Sequence, residues 1–453
     1  MAVDALRAPD RPAVERRAVL PDGFLAGGVT AGIKASGRPD VALVVATSGP
    51  AAAAAVFTPN AFAAAPVRRS RANLAATSED PRGSYGFASA VISTSGCANA
   101  ATGAAGEDDQ ATVGRLVARR LGIHETAVLH LSTGVIGTRL PLDKVAAGVE
   151  AVAGAATPTD EGLAAAAEAL RTTDSRAKVA TTSIELPAQD GASVPVTVSG
   201  IAKGVGMIHP NMATMLSVVV TDAPVAPEVL WGLLRPAAAR TWDQLSVDGD
   251  TSTNDTVFVL ASGAAGAVPV AAGSGAAVAL GSAIEAVARD LARQQAADGE
   301  GATILITASV TGAADDADAR AVARAVVSSS LVKAAAHGKD PNWGRIAGAA
   351  GNAVTASAAV LEASGLSADE AAARANRPAT IDPDRLRISI AGHPVFDGAS
   401  GGPLSFDRAA ARAAMDGPEL VIGLDLGLGD GLGEAFGCDL TEAYVIENSE
   451  YTT

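Results

Sequence analysis

One stretch of the sequence combines tight bends with a candidate reactive threonine: Lys203-Gly204-Val205-Gly206-Met207-Ile208-His209-Pro210-Asn211-Met212-Ala213-Thr214-Met215-Leu216. Its glycines and proline favour two tight bends, and the β-branched run Ser217–Asp222 that follows predicts a buried strand. A loop that delivers Ala213-Thr214 to a strand can be an ordinary turn. It can also be the cleavage point of a self-processing precursor, because the break would give Thr214 a hydroxyl nucleophile and an amine base.

A second segment could serve the same chemistry. Ser132-Thr133-Gly134-Val135-Ile136-Gly137 follows the apolar run Ala127–Leu131, which predicts a strand. A Thr-Gly pair at the end of a strand can point a hydroxyl and a backbone N–H at a developing oxyanion. A purely structural turn would have the same sequence, so the residues alone leave both interpretations open.

Composition and charge restrict the class of protein. The 453 residues suggest two or three domains or one large multilayer domain. Hydrophobic residues make up 48% of the chain but aromatic residues only 3%, so the core must rely on close packing of Ala, Val, Leu and Gly. The net charge of −15 argues against a nucleic-acid partner or an anionic membrane surface. Small acidic substrates remain compatible with this net charge, because the attraction of one lysine in a pocket exceeds the repulsion from distant, screened surface charges.

The cysteines and the termini predict a cytoplasmic protein. Cys97 and Cys438 are the two cysteines and form no CxxC pair, which fits a reducing compartment and predicts no metal or redox centre. The segment Met1–Val19 lacks the apolar stretch of a secretory signal. Glycines and a proline interrupt the uncharged run Ser262–Ile284, which we interpret as a loop leading into a helix and not as a membrane span.

The hydrophobic patterns alternate between strands and helices. Further strands are predicted at Phe87–Thr94, Val257–Leu260, Thr303–Thr311 and Arg385–Ile390. Helices are predicted at Ala283–Gln295, at Ala319–Ala336, and from a Thr159-Asp160 cap to about Leu170. This mixture predicts an α/β (α+β) fold built from layers.

Two motifs resemble ligand loops, but their spacing is wrong. Asp248–Asp255 is rich in acids, yet it lacks the glycine and glutamate positions of a calcium loop, which favours a hydrogen-bonded turn. Gly427–Gly433 has Leu432 where a dinucleotide fingerprint needs its third glycine. Neither motif therefore predicts a cofactor.

Single polar residues have a structural and a functional interpretation. Lys203 is either a solvated lysine on a glycine turn or the cation for a substrate α-carboxylate. Glu300, between two glycines, either lies in a surface turn or accepts a hydrogen bond from a substrate ammonium. His209 belongs to no recognisable triad and is interpreted as structural.

Several blocks, in order, closely resemble the ornithine acetyltransferase family, the bifunctional glutamate N-acetyltransferase and amino-acid acetyltransferase proteins of arginine biosynthesis. The resemblance extends from Gly28 to the C-terminus. Its blocks are Gly28–Lys34, Ser132–Gly137 with Arg139–Pro141, Thr172–Asp174, Lys203–Leu216, Asp248–Asp255, Asp298–Thr303, Gly338–Arg345 and Gly437–Thr441.

The resemblance implies roles for individual residues. Thr214 would be the autoprocessing residue, released by cleavage after Ala213, and the nucleophile that accepts the acetyl group. Thr133 and Gly134 would form the oxyanion hole. The substrate-binding residues would be Thr173, Lys203, Thr214, Glu300, Asn448 and Thr453, although the choice between Thr172 and Thr173 stays open. Cleavage would give an α chain, 1–213, and a β chain, 214–453.

The family also implies the activity and the architecture. The enzyme would move an acetyl group from N²-acetylornithine to glutamate with ping-pong kinetics, without a cofactor, and with acetyl-CoA as a further co-substrate if it is bifunctional. Two sheets would be sandwiched by helices in an N-terminal-nucleophile-like fold. The α and β chains would associate with each other, two of each forming a heterotetramer.

Three alternatives remain open from the sequence. Water could replace glutamate, which would make the protein an N-terminal-nucleophile aminopeptidase. Thr94, Phe436 and Glu447 stand where the family usually has asparagine, tryptophan and an apolar residue, so the chain could be a paralogue with a shifted acyl or amino-acid preference in a secondary-metabolite pathway. A binding protein without catalysis is the third.

Overall fold

The computed structural model describes residues 11–209 and 215–449. In these ranges the strands, numbered in chain order, are β1 Phe24–Val29, β2 Val41–Ala46, β3 Ala51–Phe57, β4 Tyr85–Ala88, β5 Ala90–Cys97, β6 Val128–Val135, β7 Lys178–Pro187, β8 Ser193–Lys203, β9 Leu216–Thr221, β10 Leu245–Ser246, β11 Thr256–Ala261, β12 Leu305–Ala313, β13 Arg387–Ile390, β14 His393–Asp397, β15 Gly402–Pro403, β16 Glu419–Asp425 and β17 Gly431–Cys438. The α-helices of the same ranges are α1 Ala65–Ala76, α2 Gly103–Leu121, α3 Leu142–Ala155, α4 Asp160–Leu170, α5 Pro227–Arg240, α6 Gly275–Ala297, α7 Asp316–Ser328, α8 Ser330–His337, α9 Trp343–Gly351, α10 Ala358–Ala363, α11 Ala368–Arg374, α12 Arg408–Ala414 and α13 Glu442–Ser449.

A six-stranded sheet in the order β4-β3-β11-β9-β8-β7 lies at the centre of the molecule. Its strand β3 is buried on both faces, which explains why the sequence there is a continuous apolar run and not an alternating one. Ala52, Ala54 and Val56 pack toward α5 and α6, while Ala51 and Ala53 face the opposite way. The small alanines let the neighbouring layers approach closely, which compensates for the scarcity of aromatic residues.

A four-stranded sheet in the order β1-β2-β5-β6 covers the second face of the six-stranded sheet. Phe24, Val44 and Leu129 of the smaller sheet share one apolar core with Val218 and Phe258 of the larger. The outer face of the smaller sheet packs on α2 and α3. The layers are therefore helices, sheet, sheet and helices, which confirms the predicted sandwich.

A seven-stranded sheet in the order β10-β17-β12-β16-β13-β14-β15 is a third sheet that was not predicted. It packs on α7 and has its own apolar core. Helix α6 links it to the sandwich, because Arg289 and Arg293 of this helix lie over the Phe436 ring and pair with Glu434 and Glu419.

The predicted elements exist, with differences where polar groups interrupt an apolar pattern. β9, β11, β12, β13 and α4 lie where the sequence predicts them, and Thr159 caps α4 by accepting a hydrogen bond from the Gly162 N–H. The prediction of one strand over Phe87–Thr94 is wrong, since β4 and β5 belong to different sheets. The chain crosses between them at Ser89, whose N–H and C=O bond to Ala127 and Ala46.

Two helix predictions have wrong bounds. The single helix expected over Ala319–Ala336 is divided into α7 and α8 because the Ser329 side chain caps the second helix through the Val332 N–H. Helix α6 begins at Gly275, before the predicted start, with Ser274 as its cap. Within the described ranges, none of the helices combines the length and the apolar character that crossing a bilayer requires.

Candidate active site

One cavity of about 280 Å³ collects six of the residues predicted to form the site. They lie at the ends of β6 and β8, in two loops and in α13: Thr133, Gly134, Thr173, Lys203, Glu300 and Asn448. The other predicted residues, Ala213, Thr214 and Thr453, and with them the 213/214 chain boundary, lie outside the described residues. The described chain resumes at Met215, directly before β9 in the middle of the six-stranded sheet.

Thr133 and Gly134 lie at the end of β6, which continues past the predicted Ala127–Leu131. Gly134 has φ 131°, and a Cβ there would lie 2.3 Å from the carbonyl carbon of Gly96 on the neighbouring β5. Only glycine fits this conformation and this contact. The Asn254 side chain holds the same strand by donating to the carbonyl oxygens of Ser132, at 2.8 Å, and Ala98, at 2.7 Å.

Lys203 is the last residue of β8 and is 5% exposed, so its interpretation as a solvated lysine on a turn is wrong. Its Nζ donates a hydrogen bond of 3.2 Å to Thr133 Oγ1. Burial lowers the pKa of Lys203, and the charges of Asp174 and Glu300 oppose that effect. The ammonium group is therefore held at the cavity wall against a substantial desolvation cost.

Glu300 is 8% exposed and has both carboxylate oxygens bonded. Thr173 Oγ1 donates to Oε1 at 2.8 Å, and Asn448 Nδ2 donates to Oε2 at 3.0 Å. A Cβ on Gly206 would lie 2.2 Å from Oε2, so the glycine makes room for the carboxylate. The interpretation of Glu300 as part of a surface turn is thus wrong.

The structure distinguishes the two threonines of the Thr172–Thr173 pair. Both line the cavity. The Thr173 hydroxyl bonds to Glu300, whereas the Thr172 N–H donates to Asp174 Oδ2 at 3.1 Å. Asn448 lies in α13, so this part of the terminal tail is helical although disorder is the default for such tails.

A buried ion cluster beneath the cavity was not predicted. Lys178 is fully buried and bonds to Asp174 at 2.6 Å and to Asp298 at 2.5 Å. Asp174 also accepts a hydrogen bond from the Gly204 N–H at 2.8 Å. Burial alone would raise the pKa of Asp174, but the charges of Lys203 and Lys178 outweigh it and lower the pKa to about 2. Asp174 lies in a loop and Lys178 begins β7, so no helical or strand periodicity in the sequence pointed to this pair.

The Asp248–Asp255 block forms a hydrogen-bonded turn, as the sequence predicts. The Asp248 carboxylate accepts from the backbone N–H groups of Met207, Ile208 and Asp250. It therefore fixes the loop that leaves Lys203. At the other end of the block, Asp255 is buried beside Met215, and burial raises its pKa well above the usual range.

His209 points away from this cavity. Its Nδ1 lies 3.1 Å from Ser246 Oγ, and the residue lines a different cavity. Burial and the charge of Arg324 lower the pKa of His209 to about 4, so the imidazole is neutral at pH 7.

The family model and the curated relatives agree on one family. The ArgJ family model matches residues 25–453. An arginine biosynthesis bifunctional protein ArgJ from Thermus thermophilus is 45% identical over 435 residues, covering 96% of this chain and 99% of the relative.

Two crystal structures give weaker geometric matches. The argJ protein of Bacillus halodurans is 37% identical with a TM-score of 0.45, covering 52% of this chain and 99% of that one. An ornithine acetyltransferase of Mycobacterium tuberculosis complexed with ornithine is 39% identical with a TM-score of 0.38, covering 44% and 97%.

Proposed function

The chain belongs to the ArgJ family of arginine-biosynthesis bifunctional proteins, as its sequence blocks predict, and we propose that it transfers an acetyl group from N²-acetylornithine to glutamate through an acetyl-Thr214 intermediate. The observation that carries this proposal is the single cavity lined by Thr133, Gly134, Lys203 and Glu300. It offers hydrogen-bond donors, one cation and one anion within the space of a small amino-acid derivative.

Self-processing comes first in this mechanism. The Thr214 hydroxyl oxygen attacks the carbonyl carbon of Ala213, the peptide C–N bond breaks, and the freed nitrogen becomes the α-amino group of Thr214. Water then hydrolyses the ester, which leaves a carboxylate on Ala213 and a free hydroxyl on Thr214. The products are chains 1–213 and 214–453.

In turnover the α-amino group of Thr214 removes the proton of its own hydroxyl. An unperturbed α-amino group titrates at about 7.7–8.0, which suits a base near neutral pH. The oxygen attacks the acetyl carbonyl carbon of N²-acetylornithine, the C–N bond breaks, and the proton passes to the leaving amine of ornithine. The amine of glutamate then attacks the carbonyl carbon of acetyl-Thr214, the ester C–O bond breaks, and the amine proton passes to the Thr214 oxygen, which restores the hydroxyl and releases N-acetylglutamate.

Thr133 and Gly134 stabilise the oxyanion in both halves of the reaction. The ammonium of Lys203 has no acceptor atom, so Thr133 Oγ1 must accept the bond between them. The Thr133 hydrogen is then available to the oxyanion, and the nearby positive charge strengthens the effect.

The cavity also carries the two charges that an amino-acid substrate needs. Lys203 can bind the substrate α-carboxylate, and Glu300 can accept a hydrogen bond from an ammonium group. Thr173 and Asn448 hold the Glu300 carboxylate from both sides and thereby set its orientation. Thr453 would complete the substrate contacts.

The assembly and the second donor form part of the proposal. Two α and two β chains associate into a heterotetramer in the cytoplasm, and no resident cofactor or metal is needed. Acetyl-CoA serves as a co-substrate if this chain is bifunctional, as its relatives are named.

A paralogue with a shifted preference has one specific observation in its favour. Glu447 directly precedes Asn448 in α13, and burial and the charge of Glu300 raise the pKa of Glu447. An additional negative charge beside Asn448 would favour cationic acyl acceptors over glutamate. Competition between glutamate and lysine or ornithine analogues for the acetyl-enzyme measures this preference.

Mass spectrometry of the purified protein, with and without N²-acetylornithine, tests the main proposal. We expect two fragments that meet at 213/214 and a 42 Da adduct, roughly the mass of an acetyl group, on Thr214. Thr214→Ala should remain a single chain without transfer, whereas Thr380→Ala, at an exposed position, should behave as the unaltered protein. Transfer that survives in Thr214→Ala rules the mechanism out, and acetate release without glutamate would identify the aminopeptidase-like alternative.

A further inference from the structure

A second cavity, of about 390 Å³, lies apart from the substrate cavity and has no part in the proposed mechanism. Helix α7 forms one wall, and the segment 354–364 forms the opposite wall. His209 lies in its lining, so the loop that leaves Lys203 borders both cavities.

The charge of this cavity is positive. Arg320 and Arg324 lie one turn apart on α7, and both line the space. None of the described lining residues is an aspartate or a glutamate. The other polar groups come from neutral side chains, among them Thr355, Ser364 and Asn376.

The ion pair that Arg320 forms with an acid of its own helix is long and open to solvent. The Arg320 side chain is 11% exposed, and its partner Asp316 lies 4.0 Å away with a side chain that is 61% exposed. Asp243, whose charge acts on both arginines, is itself bonded to Arg235 at 2.8 Å. Burial lowers the pKa of Arg324 to about 10, which reflects the cost of holding its charge there. Two like charges at i,i+4 also repel each other.

Gln244 adds a hydrogen-bond acceptor to the same cavity. Its Nε2 donates to the Ala239 carbonyl oxygen at 3.2 Å. Its Oε1 is buried and has no hydrogen-bond partner among the described residues, although the residue is only 6% exposed. A buried acceptor without a donor is unfavourable unless a ligand or water supplies one.

We propose that this cavity is a binding site for a small anion, a carboxylate or a phosphate compound that also carries a hydrogen-bond donor. The two guanidinium groups bind the anionic group through charge-assisted hydrogen bonds. The donor of the ligand bonds to Gln244 Oε1. The site is separate from the substrate cavity, so the proposal stands independently of the acetyl-transfer mechanism.

Isothermal titration of the full-length protein with tartronate, malonate and inorganic phosphate tests this site. Tartronate and malonate differ only in a hydroxyl donor, so tartronate should bind more tightly, with one site per chain. Tighter binding of phosphate than of tartronate would assign the site to phosphate compounds, and the reverse order would assign it to carboxylates.

Variants locate the binding. Arg324→Gln and Arg320→Gln should each weaken binding roughly tenfold or more, and Gln244→Leu should abolish the preference for tartronate. Arg119→Gln, an exposed arginine on α2, is the matched control and should bind as the unaltered protein. Lys203→Met should also retain binding, which separates this site from the substrate cavity.

The proposal is overturned if none of the three anions binds more tightly than about 10 mM. It is also overturned if both arginine variants bind as the unaltered protein or if Lys203→Met abolishes binding. Arg324→Lys keeps the charge and should retain part of the affinity. Should an arginine variant fail to fold, the tartronate preference and its loss in Gln244→Leu still decide the question.

Discussion

Lys203 Nζ lies 3.2 Å from Thr133 Oγ1, and this hydrogen bond joins the two sheets of the sandwich. Lys203 ends β8 of the six-stranded sheet, and Thr133 lies near the end of β6 of the four-stranded sheet. Because an ammonium can only donate, the bond orients the threonine hydroxyl as well as bringing a charge next to it.

Removal of the Thr133 hydroxyl should therefore lower the rate of transfer and leave binding intact. We expect Thr133→Val to reduce kcat by roughly 10²–10³-fold, the usual effect of removing one oxyanion donor, with little change in KM. Thr133→Ser, which keeps the hydroxyl, should recover most of the rate. Steady-state kinetics with N²-acetylornithine and glutamate measures both, and an unchanged kcat in Thr133→Val would contradict the oxyanion role.

A methyl group on Gly206 should displace the Glu300 carboxylate. The added Cβ would lie 2.2 Å from Glu300 Oε2, so the bonds from Thr173 and Asn448 could not both persist. We expect Gly206→Ala to raise KM for the amino-acid substrate about tenfold. Gly154→Ala, where nothing lies within 4 Å of the new Cβ, is the matched control. Equal KM values in the two variants would show that Glu300 does not contact substrate.

Loss of the Lys178 charge should destabilise the folded protein strongly. The side chain is fully buried between Asp174 and Asp298, and its removal would leave two buried carboxylates without their cation. Lys178→Met should cost about 3–5 kcal/mol, visible as a large fall in Tm by calorimetry. The exposed Lys144→Met serves as control. A Tm fall no larger than that of the control would mean that the cluster contributes little.

Acid should destabilise the protein through His130. This residue is buried against Gln110, whose side-chain nitrogen lies 2.9 Å from Nδ1, and burial lowers the pKa of His130 from 6.5 to about 3. Below pH 6.5 the imidazole of His130 becomes protonated in the unfolded state, whereas in the folded state it stays neutral down to about pH 3. Stability from the neutral ring is therefore complete above pH 6.5 and is lost as the pH falls, by up to about 5 kcal/mol in total.

His130→Gln removes this titration, so its stability should depend less on pH between 6.5 and 3 than that of the unaltered protein. Urea unfolding at several pH values across this window measures the difference. His124→Gln, at an exposed position, should follow the unaltered protein. Parallel pH profiles for His130→Gln and the unaltered protein would contradict the prediction.

Local patterns were sufficient to predict most of the elements. The β-branched run before Asp222 became β9, and the Thr159-Asp160 cap began α4 as expected. The patterns failed where a single serine changed the path of the chain. Ser89 separates two strands of different sheets and Ser329 separates two helices. The sheet crossing at Ser89 depends on partners distant in sequence, and the cap at Ser329 depends on a local side-chain hydrogen bond; hydrophobic periodicity contains neither.

The sequence by itself determined the family, the layered α/β class and the candidate residues, because each follows from local residue order. Only the tertiary structure decided that Thr133, Lys203, Glu300 and Asn448 share one cavity, and that Lys203 and Glu300 are buried and not solvated. Such contacts join strands and helices far apart in the chain. The burial of a side chain and the charges beside it determine its pKa and its desolvation cost. Both arise only after the sheets have packed.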